Sequence, residues 1–385
     1  MAETGCEGVF FGIDSGSEQL QQAMNKRLDL SEAALRIERT DKRGIKTTVS
    51  LITGFPEETK DDLRATIGFL VDSLRFDNSE PQLHLLAPLA ETPITTQYKD
   101  KLIFDDIFSD TSYQGWQQEV PDREMIRSYP DIFVNFYAVP TCCFDRHYLR
   151  ELREFILKGM REFRWLFVTL HQDYGDLVGV FDQWKSWYQQ NRGDNLFPDC
   201  DVRTYYFSDD FREEFLGFVR SYYLPRMASY PMAISAILSY QSALSDLDKI
   251  QGRPPEEDAG EIKEQRLGLR PGTRPTHAAN MRVMHMDIDF EELQGSLRRR
   301  GRLDQVPATP VTVVFRLVNK RVEVVQLSQD SARLLALCDG AHALSDIVNS
   351  FSAGEATTIN IPADKVCLFG LTLLHERGLI AELVY

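Results

Sequence analysis

The chain has 385 residues, of which 43% are hydrophobic and 26% charged, so it can form two or three folded domains. Acidic residues outnumber basic ones by 58 to 43, a net charge of -15, which repels a phosphate backbone and argues against general nucleic-acid binding. No apolar run reaches the roughly 18 residues of a membrane span. The start, MAETGCEG, lacks the basic and apolar regions of a secretory signal. We therefore expect a cytoplasmic protein with no membrane partner.

The cysteines are scattered, and no CxxC or CxxxCxxC spacing occurs among them. Cysteines of a cytosolic chain of this size are mostly reduced and packed in the core. The adjacent pair Cys142 and Cys143 could ligate a metal only together with distant residues. The sequence therefore predicts core thiols and no complete metal site. The six cysteines are Cys6, Cys142, Cys143, Cys200, Cys338 and Cys367.

Three apolar runs alternate with helical stretches in the first ninety or so residues. The runs are GVFFGI (8–13), IKTTVSLIT (45–53) and QLHLLAPL (82–89). Ser31 is the predicted N-cap of one intervening helix, and Thr59 is that of another. Strands that alternate with helices of this length predict parallel βαβ units, whose turns after the strand carboxyl ends bind ligands.

The rest of the chain has a different character. Residues 96–250 carry dense aromatics at helical spacing, which predicts a mostly helical region with an aromatic core. Residues 251–276 are rich in Pro, Gly and charge and predict a linker. In residues 277–385 we expect a hairpin that turns at NK, three short helices and a closing strand, a small winged-helix-like α+β domain.

The first polar turn, GIDSGS, places Asp14, Ser15 and Ser17 at the mouth of a strand. Gly12 and Gly16 permit close approach of the backbone. Asp14 could accept hydrogen bonds from ribose hydroxyls or an ammonium, while the serines and the following helix could bind a carboxylate. The serines suit a helix N-cap equally well. The residues alone leave both interpretations open.

Taken in order, these segments resemble the C-terminal half of a radical S-adenosylmethionine (radical SAM) enzyme core. GVFFGIDSGSEQLQQAMNK is similar to its fourth strand and helix, and LHLLAPLAETPI to its sixth strand. SLITGFPEE is similar to the GxIxGxxE motif of the fifth strand, with Ser50 in place of the first glycine. The resemblance implies an α/β fold in which residues 1–95 form the last three strands of a partial barrel.

The resemblance also implies a cofactor site for SAM. The polar turn would contact the ribose and methionyl groups, the backbone near Ile52 would pack along adenine, and Glu57 would mainly hold its loop. Lys26 could reach the SAM carboxylate, although a surface cation near a helix end is an equally good interpretation. The implied cofactor-binding residues are Asp14, Ser15, Ser17, Lys26, Ile52, Gly54 and Glu57.

The sequence departs from the family pattern at three places. Asp14 stands where Glu is common, and the AET segment at 90–92 replaces a Pro-Gly-Thr segment typical of cobalamin-binding members. The CxxxCxxC loop that ligates the [4Fe–4S] cluster does not occur. We therefore expect a fragment, one half of a split enzyme, or a relic. The cluster, and cobalamin if used, would be held by an N-terminal half supplied elsewhere.

The last segment carries a second resemblance. VEVVQLSQDSARLLALCDGAHALSDIVNSF is similar to PqqD-like domains, which bind leader peptides by adding a strand to a sheet edge. The two resemblances imply a radical SAM enzyme that modifies or methylates a peptide or natural-product precursor. A non-catalytic protein that binds a peptide or partner and keeps the half barrel as a scaffold is the alternative.

Overall fold

A computed structural model describes residues 2–105, 107, 120–192, 202–251, 271–318, 321–353 and 362–383. The chain divides into two compact units, residues 1–234 and 235–385. Among the described helices, none combines the length and the apolar character needed to cross a membrane.

The first unit contains a three-stranded parallel sheet with the order β1-β2-β3. This confirms the α/β class and the βαβ pattern, and the described residues show no closed barrel. The strands are β1 (Gly8–Asp14), β2 (Lys46–Thr53) and β3 (Ser79–Leu85), and the connecting helices are α1 (Glu18–Ala23), α2 (Leu30–Asp41) and α3 (Lys60–Ser73).

Local sequence explains these elements. The central strand β2 is rich in β-branched residues, and its Val49 and Leu51, which lie on one face, are fully buried. Thr59 caps α3 as predicted, and Asp62 completes a capping box with it. The predicted cap of α2 was wrong. Asp29 rather than Ser31 accepts the hydrogen bond from the Glu32 amide, so this helix begins one residue before Ser31.

The rest of the first unit is helical, with an aromatic core, as predicted. Phe155 lies at its centre, and its ring centroid is 4.9 Å from that of Phe167 and 5.3 Å from that of Phe215. Helix α6 packs on β3, and α7 and α8 pack on α3, so this region and the sheet share one unit. The predicted domain boundaries themselves stay predictions. The helices are α4 (Pro93–Tyr98), α5 (Val120–Ser128), α6 (Arg146–Glu162), α7 (Arg164–Tyr174), α8 (Leu177–Arg192), α9 (Val202–Tyr206), α10 (Asp209–Phe218), a π-helix (Val219–Tyr223) and α11 (Leu224–Arg226). Helix α12 (Pro231–Gln251) begins in the first unit, and most of its residues belong to the second.

The second unit contains two small antiparallel sheets, β4-β8 and β5-β6-β7. The predicted hairpin is confirmed as β6 and β7, while its NK turn and residues 252–270 of the predicted linker lie outside the described residues. The end of that predicted linker is instead strand β4, because pairing with β8 satisfies its backbone. The strands are β4 (Arg274–His277), β5 (Met281–Met286), β6 (Val311–Val318), β7 (Arg321–Leu327) and β8 (Ile380–Leu383), and the helices are α13 (Phe290–Arg299), α14 (Gln329–Leu337), α15 (Leu344–Ser352) and α16 (Ala363–Glu376).

Candidate functional site

The carboxyl ends of β1, β2 and β3 lie at the same edge of the sheet because the three strands are parallel. We call the residues that follow these ends (14–17, 53–58 and 85–86) the carboxyl edge. In open parallel sheets this edge is where ligands bind.

Asp14 ends β1 in an unusual conformation. The register between β1 and β2 shifts between Gly12 and Asp14, and Asp14 has a left-handed φ of 66°. Irregularities of this kind re-aim a side chain and are frequent next to active sites. The Asp14 carboxylate forms an ion pair with Lys26, whose ammonium also donates to the Gly12 carbonyl at 2.5 Å. The two predicted site residues are thus brought together, and about 30% of each side chain remains exposed (29% and 32%).

Ser15 and Ser17 are buried and hold the turn together. The Ser15 Oγ lies 2.9 Å from the Thr66 Oγ1 on α3. The Ser17 Oγ accepts a hydrogen bond from the Leu20 amide, so Ser17 is the N-cap of α1. The helix-cap interpretation is confirmed for Ser17, and contact of either serine with a ligand stays a prediction.

Gly16 allows this turn to lie directly on α3. A Cβ atom at this position would lie 2.4 Å from the Ala65 carbonyl oxygen and 2.8 Å from the Phe69 Cβ, too close for any side chain. The close approach predicted for Gly16 is therefore confirmed.

Asp62 on α3 joins the first two turns of the carboxyl edge. It accepts a hydrogen bond from the Ser17 hydroxyl in the first turn. It also accepts bonds from the Thr59 amide at 2.9 Å and the Thr59 hydroxyl at 2.6 Å, directly after the second turn. Although burial opposes ionisation, these donors hold the pKa of Asp62 below its ordinary value.

The turn after β2 is held by Glu58, not by Glu57 as expected. One Glu58 carboxylate oxygen accepts bonds from the Gly54 amide at 2.6 Å and the Thr53 hydroxyl at 2.7 Å. Gly54 has a left-handed φ of 94°, which a residue with a side chain rarely adopts. Glu57 points outward and accepts a bond from the Tyr98 hydroxyl at 2.8 Å. Both acidic residues follow Pro56, so the sequence alone gave no means of choosing between them.

Glu58 is also the most perturbed acid of this edge. It is fully buried, and its second oxygen, Oε1, has no hydrogen-bond partner. Burial raises the pKa of Glu58 from 4.5 to about 7, against the lowering effect of its bonds to Gly54 and Thr53. The carboxyl therefore changes charge near neutral pH.

A small pocket opens at the ends of β2 and β3. Arg146 is the charged residue of its wall and was missed in the sequence, because it lies about ninety residues beyond β2. The Arg146 guanidinium makes two hydrogen bonds to Asp105, at 2.7 and 2.9 Å, and these oppose the effect of burial so that the pKa of Asp105 is lowered. Ile52 is half-buried in β2, and its contact with a ligand stays a prediction. The pocket is lined by Thr53, Gly54, Leu85, Leu86, Val139, Thr141, Arg146 and Leu149.

The described part of the chain holds no group of three or more His, Cys, Asp and Glu side chains that could bind a metal ion. Cys338 and Cys367 are buried core thiols, as predicted. Cys142 and Cys143 are exposed, so the expectation of core thiols was wrong for this pair. They lie in the loop just before α6, where the chain runs over the surface. Cys200 lies outside the described residues.

Comparison with curated proteins gives a partial match. No protein-family model matches the chain. A stretch of 69 residues is 35% identical to an uncharacterized methyltransferase of Pyrococcus horikoshii. The match covers 18% of this chain and 15% of the length of that protein. The chain thus has a partial likeness to a protein named as a methyltransferase.

Proposed function

We propose that the carboxyl edge of the parallel sheet binds SAM and that the protein takes part in a methylation-type reaction. The observation that carries this proposal is the meeting of the Asp14–Lys26 ion pair and the Gly54 turn at one edge of the sheet. The partial likeness to a methyltransferase supports the same cofactor.

The residues of this edge fit the parts of SAM. Its amino-acid end carries one ammonium and one carboxylate, and the partly exposed Asp14 and Lys26 present the opposite charges. Gly54 leaves the end of β2 free of a side chain beside a pocket walled by Leu85 and Leu86, which suits the flat face of adenine. Ser15 and Ser17 position Asp14 by holding its turn on α3. Bound SAM supplies a methyl group on a positively charged sulfur.

More specifically, we propose that the protein is part of a radical SAM enzyme. The order of the three turns along the chain supports this proposal. The described residues offer no ligand set for a [4Fe–4S] cluster, and no step is derived through a cluster or through cobalamin. A cluster would be supplied by residues other than those described, such as an N-terminal half. The substrate that we propose is a peptide or natural-product precursor.

The second unit offers a place for such a peptide. Within the described residues β7 pairs only with β6, so its other edge is available for an added strand. On α16, Phe369 is 65% exposed and Leu373 39%, four residues apart on one face of the helix. If the protein only binds peptides, this unit carries the whole function.

SAM binding to the full chain tests the first proposal, with isothermal titration calorimetry as the measurement. Asp14→Asn keeps the left-handed backbone, which Asn tolerates, and removes the charge that faces the SAM ammonium. We expect Asp14→Asn and Lys26→Met each to weaken SAM binding about tenfold, roughly 1.4 kcal/mol. Adenosine, which lacks the amino-acid end, should bind the variants as it binds the wild-type protein.

Glu80→Gln is the matched control, because Glu80 is exposed at the opposite end of β3. It should bind SAM as the wild-type protein does. If the wild-type chain shows no saturable binding of SAM, the proposal fails. Equal losses for SAM and adenosine in Asp14→Asn would contradict the assignment of Asp14 to the amino-acid end. Peptide binding without SAM binding would favour the binding-protein alternative.

A further inference from the structure

Two adjacent thiols lie on the surface beside the turn that follows β2. Cys142 and Cys143 are both exposed, and their Sγ atoms are 3.0 Å apart. The Cys142 amide donates to the Pro56 carbonyl at 2.9 Å, which fixes the pair to the 53–58 turn. Neither thiol has a role in the proposed SAM site.

We propose that Cys142 and Cys143 are a modification site, a vicinal dithiol that reacts as a unit with low-molecular-weight disulfides. One cysteine thiolate attacks the disulfide RSSR, forming a mixed disulfide and releasing RS⁻. The neighbouring cysteine thiolate then attacks the sulfur of its partner, closes the Cys142–Cys143 bond and releases the second RS⁻. The two thiol protons pass to the released thiolates, so the chain is oxidised by two electrons and RSSR is reduced to two RSH.

The geometry favours this reaction over separate modification of the two thiols. At 3.0 Å the second sulfur is already in place for attack, so ring closure is an intramolecular step with a high effective concentration. The product is an unusual disulfide, because adjacent Cα atoms are about 3.8 Å apart whereas disulfides usually span about 4.4–6.8 Å. Such strained bonds are readily reduced again, which suits a reversible modification.

The described thiols elsewhere are poor competitors. Cys338 and Cys367 are buried, and burial raises the pKa of Cys338 to about 12 and that of Cys367 to about 11. The hydrogen bond to Cys143 raises the pKa of Cys142 as well. The difference between the two sets of thiols is therefore access: the buried pair is shielded from a disulfide in solution, whereas the adjacent pair is exposed. Cys6 is partly exposed, but its sulfur donates to the carbonyl of Gly8, with no second thiol beside it in the described chain.

The test uses the full chain, reduced and then exposed to oxidised glutathione, quenched in acid and mapped by mass spectrometry after alkylation. We expect one peptide that contains both Cys142 and Cys143 to lose two hydrogen atoms and to carry no glutathione. In Cys142→Ser or Cys143→Ser the remaining cysteine should instead retain one glutathione. Cys6→Ser is the matched control and should give the wild-type result at the pair.

Three results would overturn the proposal. These are a glutathione on each of the two cysteines, an unmodified pair after Cys6 has reacted, and a disulfide from either cysteine to another part of the chain. Because the measurement needs neither SAM nor a substrate, its failure is separate from a failure of the proposed function.

Discussion

The carboxyl edge of the sheet and the aromatic core of the first unit are built in different ways. The edge is held by hydrogen bonds from short polar side chains, with left-handed backbone at Asp14 and Gly54. The aromatic core is held by ring packing around Phe155, which is fully buried. The polar edge fixes the direction of a few groups, whereas the core supplies most of the stabilising burial.

The carboxyl edge and the aromatic core also differ in backbone strain. Left-handed backbone at a residue with a side chain costs free energy, and Asp14 at the edge adopts it. A buried carboxylate oxygen without a hydrogen-bond partner also costs free energy, and such oxygens occur both at the edge, in Glu58, and in α6, in Glu154. Such costs persist only when surrounding packing over-determines the structure. We therefore expect core substitutions to lower stability most, and edge substitutions to alter ligand binding or its dependence on pH.

The largest effect should come from Phe155→Ala, which removes the ring that contacts both Phe167 and Phe215. We expect the free energy of unfolding to fall by about 3–5 kcal/mol, because a cavity remains in a core that cannot fully collapse. Denaturant unfolding followed by circular dichroism measures the change. Phe10→Ala is the control, because Phe10 is 65% exposed and should alter stability by less than about 0.5 kcal/mol. Equal losses in the two variants would contradict the central role of the core.

An intermediate effect is expected on the pH dependence of the free energy of unfolding, through the titration of Glu58. Its folded pKa is about 7 against 4.5 for an ordinary glutamate, so between these values the folded state holds a proton that the unfolded state has lost. Stability is greatest below the lower value and falls as pH rises through the window, by roughly 3 kcal/mol.

Glu58→Gln should flatten this slope, because glutamine keeps an acceptor oxygen for Gly54 and Thr53 but does not titrate. Denaturant midpoints measured from pH 4.5 to pH 8 test this. The matched control is Glu57→Gln, an exposed neighbour, which should retain the wild-type slope. An unchanged slope in Glu58→Gln would show that other groups cause the dependence.

The smallest effect should come from Gly16→Ala. The new Cβ would meet the Ala65 carbonyl oxygen at 2.4 Å, so the first turn must move away from α3 at a cost of about 1–3 kcal/mol. Gly217→Ala, in α10, places its Cβ where no atom lies within 4 Å and should stabilise the helix by up to about 1 kcal/mol. The melting temperature should therefore fall in Gly16→Ala and rise in Gly217→Ala. A melting temperature that rises in Gly16→Ala would refute the close approach.

Features of the fold and the site that depend on neighbouring residues in the sequence could be predicted, and features that depend on distant packing could not. The alternation of β-branched runs with capped helices was enough to identify the parallel sheet, and Thr59 marked the start of α3. The choice between Glu57 and Glu58 depended on which carboxylate turns inward, which the adjacent sequence does not encode. Arg146 was missed because its place at the pocket depends on the packing of a distant helix.

Asp62 couples the first turn of the carboxyl edge to the segment that follows the second turn, because its carboxylate accepts hydrogen bonds from both. One carboxylate serves both Ser17 and Thr59, so the value of a hydroxyl at either position depends on what occupies the other. Loss of Asp62 would remove one acceptor from both hydroxyls at once, although each would still cap its helix, Ser17 by accepting from the Leu20 amide and Thr59 by accepting from the backbone amide of residue 62. Substitutions at Ser17 and Thr59 should therefore be non-additive, and a library that varies both positions together would reveal combinations that separate libraries miss.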